Sequence, residues 1–467
     1  MHLCAASTVR AMPETEIPPP FYGGIFLYIF RKNKIFPEKV FLFFEYVVYY
    51  ILNKAINGKW GFILEKEKIM PVLLGADLNC YSVARAFFEA YGVASHVFGK
   101  DNLGTIRHSK FIIFHLIDKS ISDEALVGML TDFAREHKDA SLFLVGCTDD
   151  YAEKIILNKE RLSQYYFCPC PDKSLVNGLI YKAAFYETCE EYGIPYPETK
   201  IISNPAEAEN ADFSALGFPL IIKPSSSVLY WKYPFDGMKK VYSAKSVDEA
   251  KSIVSAIYSS GYPDKIVLQR FVPGSDSRMF VLTCYSDKHG KVKMMCLGNV
   301  LLEEHTPKAI GNHAAIITCE NMPLFEKIRA FLDDIGYSGF SNFDIKYDAE
   351  SDTYRVFEIN LRQGRSNYYV TGSGINIAKL IADDRFDRLG DGIIYGKPDT
   401  FWHAVPLGVV YKYTADKNLV LRAKKIAKSG TVSSSLGFSY DLRMNPARFA
   451  YFLIHNFRYY KKYRLYH

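Results

Sequence analysis

Three oxygen-bearing side chains at close spacing, Asp344, Glu358 and Asn360, are the first candidates for chemistry. Residues 341–348 and 353–360 each alternate apolar and polar side chains, and turn-forming residues lie between them, so the spacing predicts a β-hairpin. With its turn centred near Ser351, Asp344 and Glu358 face each other on paired strands, and Asn360 points to the same side as Glu358. Two carboxylates at about 5 Å repel unless a positive charge lies between them. A hard cation, Mg²⁺ or in its place Mn²⁺, takes oxygen ligands and keeps its other positions for water or phosphate. A solvated hairpin face whose two acids merely tolerate each other is the alternative reading.

Arg362, Gly364 and Arg365 follow directly, and two arginines at the mouth of an acid-bearing strand pair suit an anion clamp. Asp, Glu and Asn beside arginines are what a nucleotide phosphoryl-transfer site needs. The block from Gly339 to Ser366 resembles the metal-binding segment of the ATP-grasp superfamily, whose members join a carboxylate to an amine through an acyl phosphate. The resemblance covers about residues 70–390. It implies ATP and Mg²⁺ as cofactors and an open parallel α/β domain ahead of a two-subdomain ATP-grasp fold, α/β and α+β in class.

The elements that must position these residues are legible in outline. At 467 residues, with 49% apolar and 23% charged, the chain has material for about three domains. The net charge of +6 is spread over a large protein and gives no sign of nucleic acid. Nine scattered cysteines, of which only Cys168 and Cys170 are close, read as free thiols of a reducing cytosol. Residues 1–69 are dense in Phe, Tyr, Ile, Asn and Lys, and their strongest apolar run, 40–52, is too short to span a membrane. That segment reads as an interfacial anchor or as translated AT-rich DNA ahead of a start at Met70.

Residues 70–175 alternate strands (70–74, 111–117, 141–146) with helices (79–91, 123–137 and one capped by Thr148), which predicts an open parallel sheet. Its ligand crevice lies at strand carboxyl ends, at Gly75, Ala76, Asp77, Thr148 and Asp149, with Asp77 as a plain helix cap the alternative. No GxGxxG is present, which argues against a dinucleotide. A helix is expected from Asp172 through Tyr192 with Lys182 inside it, in a first subdomain over 176–260. Lys223 closes the apolar run 217–222, and a lysine there needs an anionic partner.

By the resemblance, Lys182 and Lys223 reach the nucleotide phosphates and Ser225 belongs to a mobile loop over them. That loop departs from the usual glycine-rich form, reading Val228 to Lys232, which makes Trp231 a candidate acceptor contact. Gln269, Arg270, Phe271 and Val272 match the hinge whose backbone meets the adenine edge, at the start of a second subdomain over 261–390. Asp276 stands where a ribose-binding acid is expected, with turn chemistry the alternative. Arg278 is expected to point toward the reacting groups, with Arg362 or Arg365 on the phosphoryl group or the oxyanion. His305 and His313 are too irregularly spaced for a metal site.

Residues 391–467 end in a helix whose face of Phe449, Leu453, Phe457 and Tyr460 sits among Arg458, Lys461, Lys462 and Arg464, with no acids. That suits an anionic membrane surface, or docking on the protein itself with the basic side outward. Residues 71–87, 223–225 and 357–366 look most like the D-aspartate ligases, which attach D-aspartate to the lysine side chain of a peptidoglycan precursor. The resemblance thus implies a cytoplasmic enzyme with those two substrates, at the inner membrane face if the basic helix binds there. Another amino-acid or dipeptide ligase and a non-catalytic ATP-binding protein are the alternatives.

Overall fold

The β-branched and aromatic runs of the first domain assemble as parallel strands in a computed structural model that describes residues 68–306 and 309–467. The readings made for residues 1–67 lie outside the described residues. Strands β1 (Ile69–Leu74), β2 (Ser95–Gly99), β3 (Ile112–Leu116) and β4 (Ser141–Gly146) form a sheet in the order β3-β2-β1-β4. Central β1 pairs in parallel on both sides, and its Val72, Leu73 and Leu74 are fully buried. Helices α1 (Leu78–Tyr91) and α2 (Asp123–Glu136) connect strands of this sheet, and α3 (Asp149–Leu157) follows β4. Asp77 caps α1 by accepting from Cys80 N–H, and Gly92 ends it at φ 67°, a left-handed turn that glycine allows cheaply. The sequence reading found three of these strands and missed β2, whose Ser95 and His96 break the apolar run. Its parallel pairing with β1 is a tertiary contact that local spacing does not encode.

One expected helix is broken. Residues 173–180 form a short 3₁₀ turn and a short helix, Tyr181 is extended (φ −78°, ψ 121°), and α4 (Lys182–Glu191) begins after it. Lys182 therefore opens a helix instead of sitting inside one. Buried Val176, Leu179, Ala183 and Tyr186 keep helical spacing across the break, so periodicity conceals it. The freed amides of Lys182 and Ala183 donate to the carbonyl and Oγ of Ser225 at 3.4 and 3.3 Å. Beyond lies an antiparallel sheet, β5 (Thr199–Ile202), β8 (Ile266–Arg270), β6 (Leu220–Pro224) and β7 (Tyr242–Ala244), in that order. Helix α5 (Val247–Ser259) buries Ala250, Val254 and Ile257, one helical stripe, in the same core.

The largest sheet runs β13-β12-β9-β10-β11-β15-β16, with β14 (Ile394–Tyr395) beside β10. Its strands are β9 (Met279–Ser286), β10 (Val292–Glu303), β11 (His313–Cys319), β12 (Gly339–Asp348), β13 (Thr353–Asn360), β15 (Phe401–His403) and β16 (Val432–Ser434). Leu282, Phe343, Ile345 and Val356 share a core with Ile328 and Phe331 of α6 (Met322–Asp334). Val281, Tyr285 and Phe340 belong to a second core with Ile377 and Ile381 of α7 (Ile377–Arg385). Further along β12, on the Phe340 side, Asp344 and Lys346 are only half-buried.

Two helices, α8 (Lys417–Ser429) and α9 (Pro446–Tyr466), close the chain. The docked side of α9 carries Arg448, Tyr459 and Tyr463, whereas Phe457 and Tyr460 are 51% and 40% exposed. So α9 does dock on its own protein, but not through the expected stripe of Phe449, Leu453, Phe457 and Tyr460. The physical reason is Arg448, buried with its Nε 2.9 Å from the Oδ2 of buried Asp441. Its remaining N–H groups donate to the carbonyls of Gly104, Thr105 and Arg107. Among the described residues no helix is long and apolar enough to cross a membrane.

Breaking a buried ion pair from one side leaves the other charge without compensation. Arg448→Met is expected to lower unfolding stability by about 3 kcal/mol in denaturant titration. A loss below about 1 kcal/mol would mean that α9 docks by apolar contact alone.

Candidate active site

The hairpin register depends on one extra residue. The turn pairs Asp348 with Thr353 and Ile345 with Val356, and a strict count from there would set Phe357 opposite Asp344. A bulge between Ile345 and Asp344 takes up Phe357, so Glu358 pairs with Asp344 and Asn360 with Asn342. The expected facing of Asp344 and Glu358 is present. Asn360 donates its amide N–H to the carbonyl of Asn342 at 3.4 Å, which leaves its carboxamide oxygen as the atom a cation could take.

The two acids do not titrate alike. Burial, the nearby Glu358 and then Glu303 push Asp344 well above the ordinary carboxyl range, with Arg362 acting against them. Burial works to raise Glu358 too, but Lys182, Lys240 and Lys223 outweigh it and hold it below its ordinary value. The two surroundings thus pull in opposite directions, favouring the protonated form at Asp344 and the charged form at Glu358. Lys182 Nζ is 3.4 Å from Glu358 Oε2. Lys223 is buried, donating to Tyr186 Oη and Gln269 Oε1 at 2.9 Å each, and burial pulls it down to about 8. Gln269 in turn donates to Thr199 Oγ1 at 2.9 Å, so its side chain orients Lys223.

A third carboxylate joins from β10. Burial and Asp276 raise Glu303 to about 7, and Lys346 opposes them. Asp276 accepts the N–H of Glu303 through Oδ2, 3.0 Å away, and the same oxygen lies 2.8 Å from His305 Nε2. Lys346 Nζ sits 5.3 Å from the Phe271 ring centre, with Val272 buried alongside in sequence. Arg270 ties the hinge to the hairpin turn, 3.3 Å from Glu198 and 2.7 Å from Glu350.

The arginine loop is anchored to the parallel sheet. Arg362 Nε lies 2.7 Å from Asp149 Oδ1, and Arg365 lies 3.0 Å from Glu304 Oε1. Beneath them Asn79 donates to the carbonyls of Cys147 and Gln363, Asn367 donates to Asn79 Oδ1, and Gln363 donates to the carbonyl of Gly146. These groups are buried, and every amide in the network finds a partner except Asn367 Oδ1. Gly364 passes so close to Asn342 that a Cβ would come within 2.6 Å of its Oδ1. Burial raises Asp77 while Arg365 and Arg362 act to lower it, so the helix cap is also part of the arginine cluster.

Other expected residues lie apart from this centre. Arg278 is exposed, its guanidinium 5.2 Å from the centre of the Tyr347 ring. Tyr347 alternates with Lys346, so Arg278 turns away from Asp344 and not toward the reacting groups. Ser225 Oγ accepts from Ala183 N–H at 3.3 Å, and Ser226 caps a short helix by accepting from Leu229 N–H. Trp231 is 55% exposed beside Tyr230. Gly75, at φ 142°, and Ala76, whose carbonyl accepts from Thr105 Oγ1, hold the β1 end next to Asp77. Glu303, Lys240, Tyr186 and the Asn79–Asn367 pair were not singled out from sequence; only Glu303, an acid at the end of an apolar run, carried a readable signal.

The family model for the carbamoyl-phosphate synthase L chain, ATP binding domain, matches residues 182–382. A D-aspartate ligase from Enterococcus faecium is 36% identical over 404 residues, covering 84% of this chain and 96% of that protein. The chain belongs to the D-aspartate ligase family of ATP-grasp enzymes. Two solved structures share the fold of this ATP-grasp chain. An L-amino acid ligase from Bacillus licheniformis has TM-score 0.52 at 13% identity, covering 72% of this chain and 79% of its own. A biotin carboxylase from Campylobacter jejuni, solved with βγ-ATP, has TM-score 0.53 at 13% identity, covering 71% and 74%. The chain is thus an ATP-dependent, ADP-forming ligase that makes a C–N bond, and the expected α/β domain followed by an ATP-grasp fold is present.

Asp344 keeps a proton in the folded chain that the unfolded chain releases. The nucleotide-free protein therefore loses stability as pH rises from the ordinary carboxyl range through the raised value of Asp344. Asp344→Asn removes that loss. Its melting temperature near neutral pH should exceed wild type by several degrees, about 1–2 kcal/mol, with the two curves meeting near pH 4. A variant that melts below wild type at neutral pH contradicts the repulsive pair.

Proposed function

We propose that this ligase couples D-aspartate to the lysine side-chain amine of a peptidoglycan precursor. The observation that carries the reading is the cross-strand pairing of Asp344 with Glu358, with Lys182 Nζ 3.4 Å from Glu358 Oε2 and Asn360 two residues further on the same strand. Such a pair is unfavourable alone, and a divalent cation arriving with a polyphosphate relieves it. Two carboxylates and a carboxamide, Asp344, Glu358 and Asn360, are hard oxygen donors that fit Mg²⁺, with Mn²⁺ as a substitute. Mg²⁺ held there would neutralise charge on the β- and γ-phosphates. Lys182 and Lys223 take phosphate oxygens, with Gln269 and Ser225 fixing the elements that carry them. The backbone of Arg270, Phe271 and Val272 meets adenine, and Asp276 meets the ribose through the oxygen not spent on His305.

The chemistry is positioning and charge neutralisation. A carboxylate oxygen of D-aspartate attacks the γ-phosphorus, and the bond to the bridging oxygen breaks to release ADP. The lysine amine then attacks the acyl carbon, loses a proton, and phosphate leaves with the electrons of the C–O bond. Arg362 beside the acid pair suits the transferring phosphoryl group and then the oxyanion. The identity to the Enterococcus faecium D-aspartate ligase supports the choice of amino acid. Gly75, Ala76 and Asp77, at the carboxyl end of β1, are the proposed substrate contacts on the parallel-sheet side. The proposed division near residue 175 follows the parallel sheet, whereas β8 (Ile266–Arg270) lies in the small antiparallel sheet and β14, β15 and β16 lie in the largest one, so the divisions expected at 260 and 390 do not coincide with sheet boundaries.

A precursor of this kind is made at the inner membrane face, and α9 offers a matching surface. Ile454, Phe457 and Leu465 are exposed with Arg458, Lys461 and Arg464, and residues 446–467 contain no acid.

ADP release should require D-aspartate together with a lysine-bearing muropeptide, and Glu358→Gln should lower it about 10²-fold without loss of fold. Full turnover in that variant, or turnover with L-amino acids only, would sink the assignment. Wild type should sediment with phosphatidylglycerol vesicles and not with phosphatidylcholine vesicles, and Phe457→Ser with Lys461→Ser should weaken this roughly tenfold. Equal sedimentation of wild type and the double variant removes the membrane contact.

A further inference from the structure

A dicarboxylic amino acid presents one carboxylate for phosphorylation and a second that stays charged through the reaction. The second needs a cation already oriented, since only a preorganised partner favours the reactive pose. The two arginines after β13 stand in different surroundings. Arg362 is close enough to the acid pair for its charge to act on Asp344, and it is held by Asp149 at the start of α3. Arg365 is held from the opposite direction. Its guanidinium is 3.0 Å from Glu304 Oε1, and the same carboxylate oxygen accepts the Tyr459 hydroxyl at 3.1 Å. Glu304 and Tyr459 are 2% and 3% exposed, while the Arg365 side chain is 28% exposed. The guanidinium is thus held by an ion pair in which Nη1 makes no hydrogen bond of its own, and the side chain remains partly exposed.

The C-terminal helix supplies the lock. Tyr463 donates to the carbonyl of Glu303 at 2.5 Å, and Arg448 clamps the 104–107 loop, so α9 is pinned at both ends of this compartment. Gly104 lies so close to the Tyr451 ring that a Cβ has no room. His455 lies between, with a buried Nδ1 that meets no protein partner and a ring kept neutral by burial and the surrounding cations. The wall offered to a ligand therefore presents the Arg365 cation and neutral His455, with Asp77 at the β1 end the acid beside them.

We propose that Arg365, locked by Glu304 and Tyr459, binds the carboxylate of the amino-acid substrate that is not phosphorylated, which makes the C-terminal helix part of the active site. Tyr459 is then a positioning residue and Arg365 the contact. The inference rests on the proposed use of a dicarboxylic amino acid. It is tested by steady-state ADP release in full-length Tyr459→Phe, which keeps the ring and loses only the hydroxyl. The KM for D-aspartate should rise about tenfold, with the KM for ATP and kcat at saturating D-aspartate within about twofold of wild type. Glu304→Gln, which keeps the shape and removes the charge on Arg365, should move the same KM in the same direction and covers a poorly folding Tyr459→Phe. A D-aspartate KM within twofold of wild type in both variants, while wild type is active with D-aspartate, overturns this inference alone. A parallel rise in the KM for ATP also overturns it, since that marks a structural role. Wild-type protein that binds no D-aspartate by calorimetry with ATP present removes the functional reading and this inference together.

Discussion

Two carboxylates held face to face across β12 and β13 set the terms for the rest of the molecule. Burial and Glu358 raise Asp344 above its ordinary value, and Arg362 opposes them only in part. The relief is arranged asymmetrically, with three lysines favouring charge on Glu358 alone. Opposed surroundings of this kind leave the pair ready for a divalent cation that would relieve the repulsion between the two carboxylates. The unfavourable pair is tolerated because the hairpin is locked by a bulge and by the core beneath Phe343, Ile345 and Val356.

Each sheet brings one kind of group to that pair. The small antiparallel sheet carries Lys223 at a strand end, where Tyr186 and Gln269 keep the ammonium buried without a carboxylate of its own. The break at Tyr181 aims Lys182 at Glu358, and Ser225 satisfies the amides that the break exposes. The parallel sheet contributes the ends of β1 and β4, to which the arginine loop is tied through Asn79, Gln363 and Asn367. The arginines are therefore not free surface cations. Their positions are set by a buried polar network whose partial loss would cost more than an apolar replacement.

The C-terminal helix illustrates how a polar residue can choose a docking face. Its regular apolar stripe stays partly in water, and the docked face is built on Arg448, Tyr459 and Tyr463. Arg448 finds a buried carboxylate and three carbonyls, which repay its desolvation in a way that an apolar stripe cannot match for specificity. That choice carries Tyr459 to Glu304 and leaves Phe457 and Ile454 outward.

Much of the architecture was legible because it is local. Alternation marked the acid hairpin, capping residues marked α1 and α3, and an apolar run ending in Lys223 marked a buried cation, since these depend on neighbours two to four places apart. The ATP-grasp resemblance rested on the same segments. The missed features all need a second part of the chain. The bulge at Phe357, the extended Tyr181, the outward turn of Arg278 and the Glu303–Glu304 contribution leave the spacing of apolar residues nearly untouched. Each is decided by which strand pairs with which, and by whether a distant group can compensate a buried charge. Sequence alone determined which residues could do chemistry and on what elements they lie. Only the tertiary structure decided which of them meet, because register and desolvation are properties of the assembled sheets and not of any one segment.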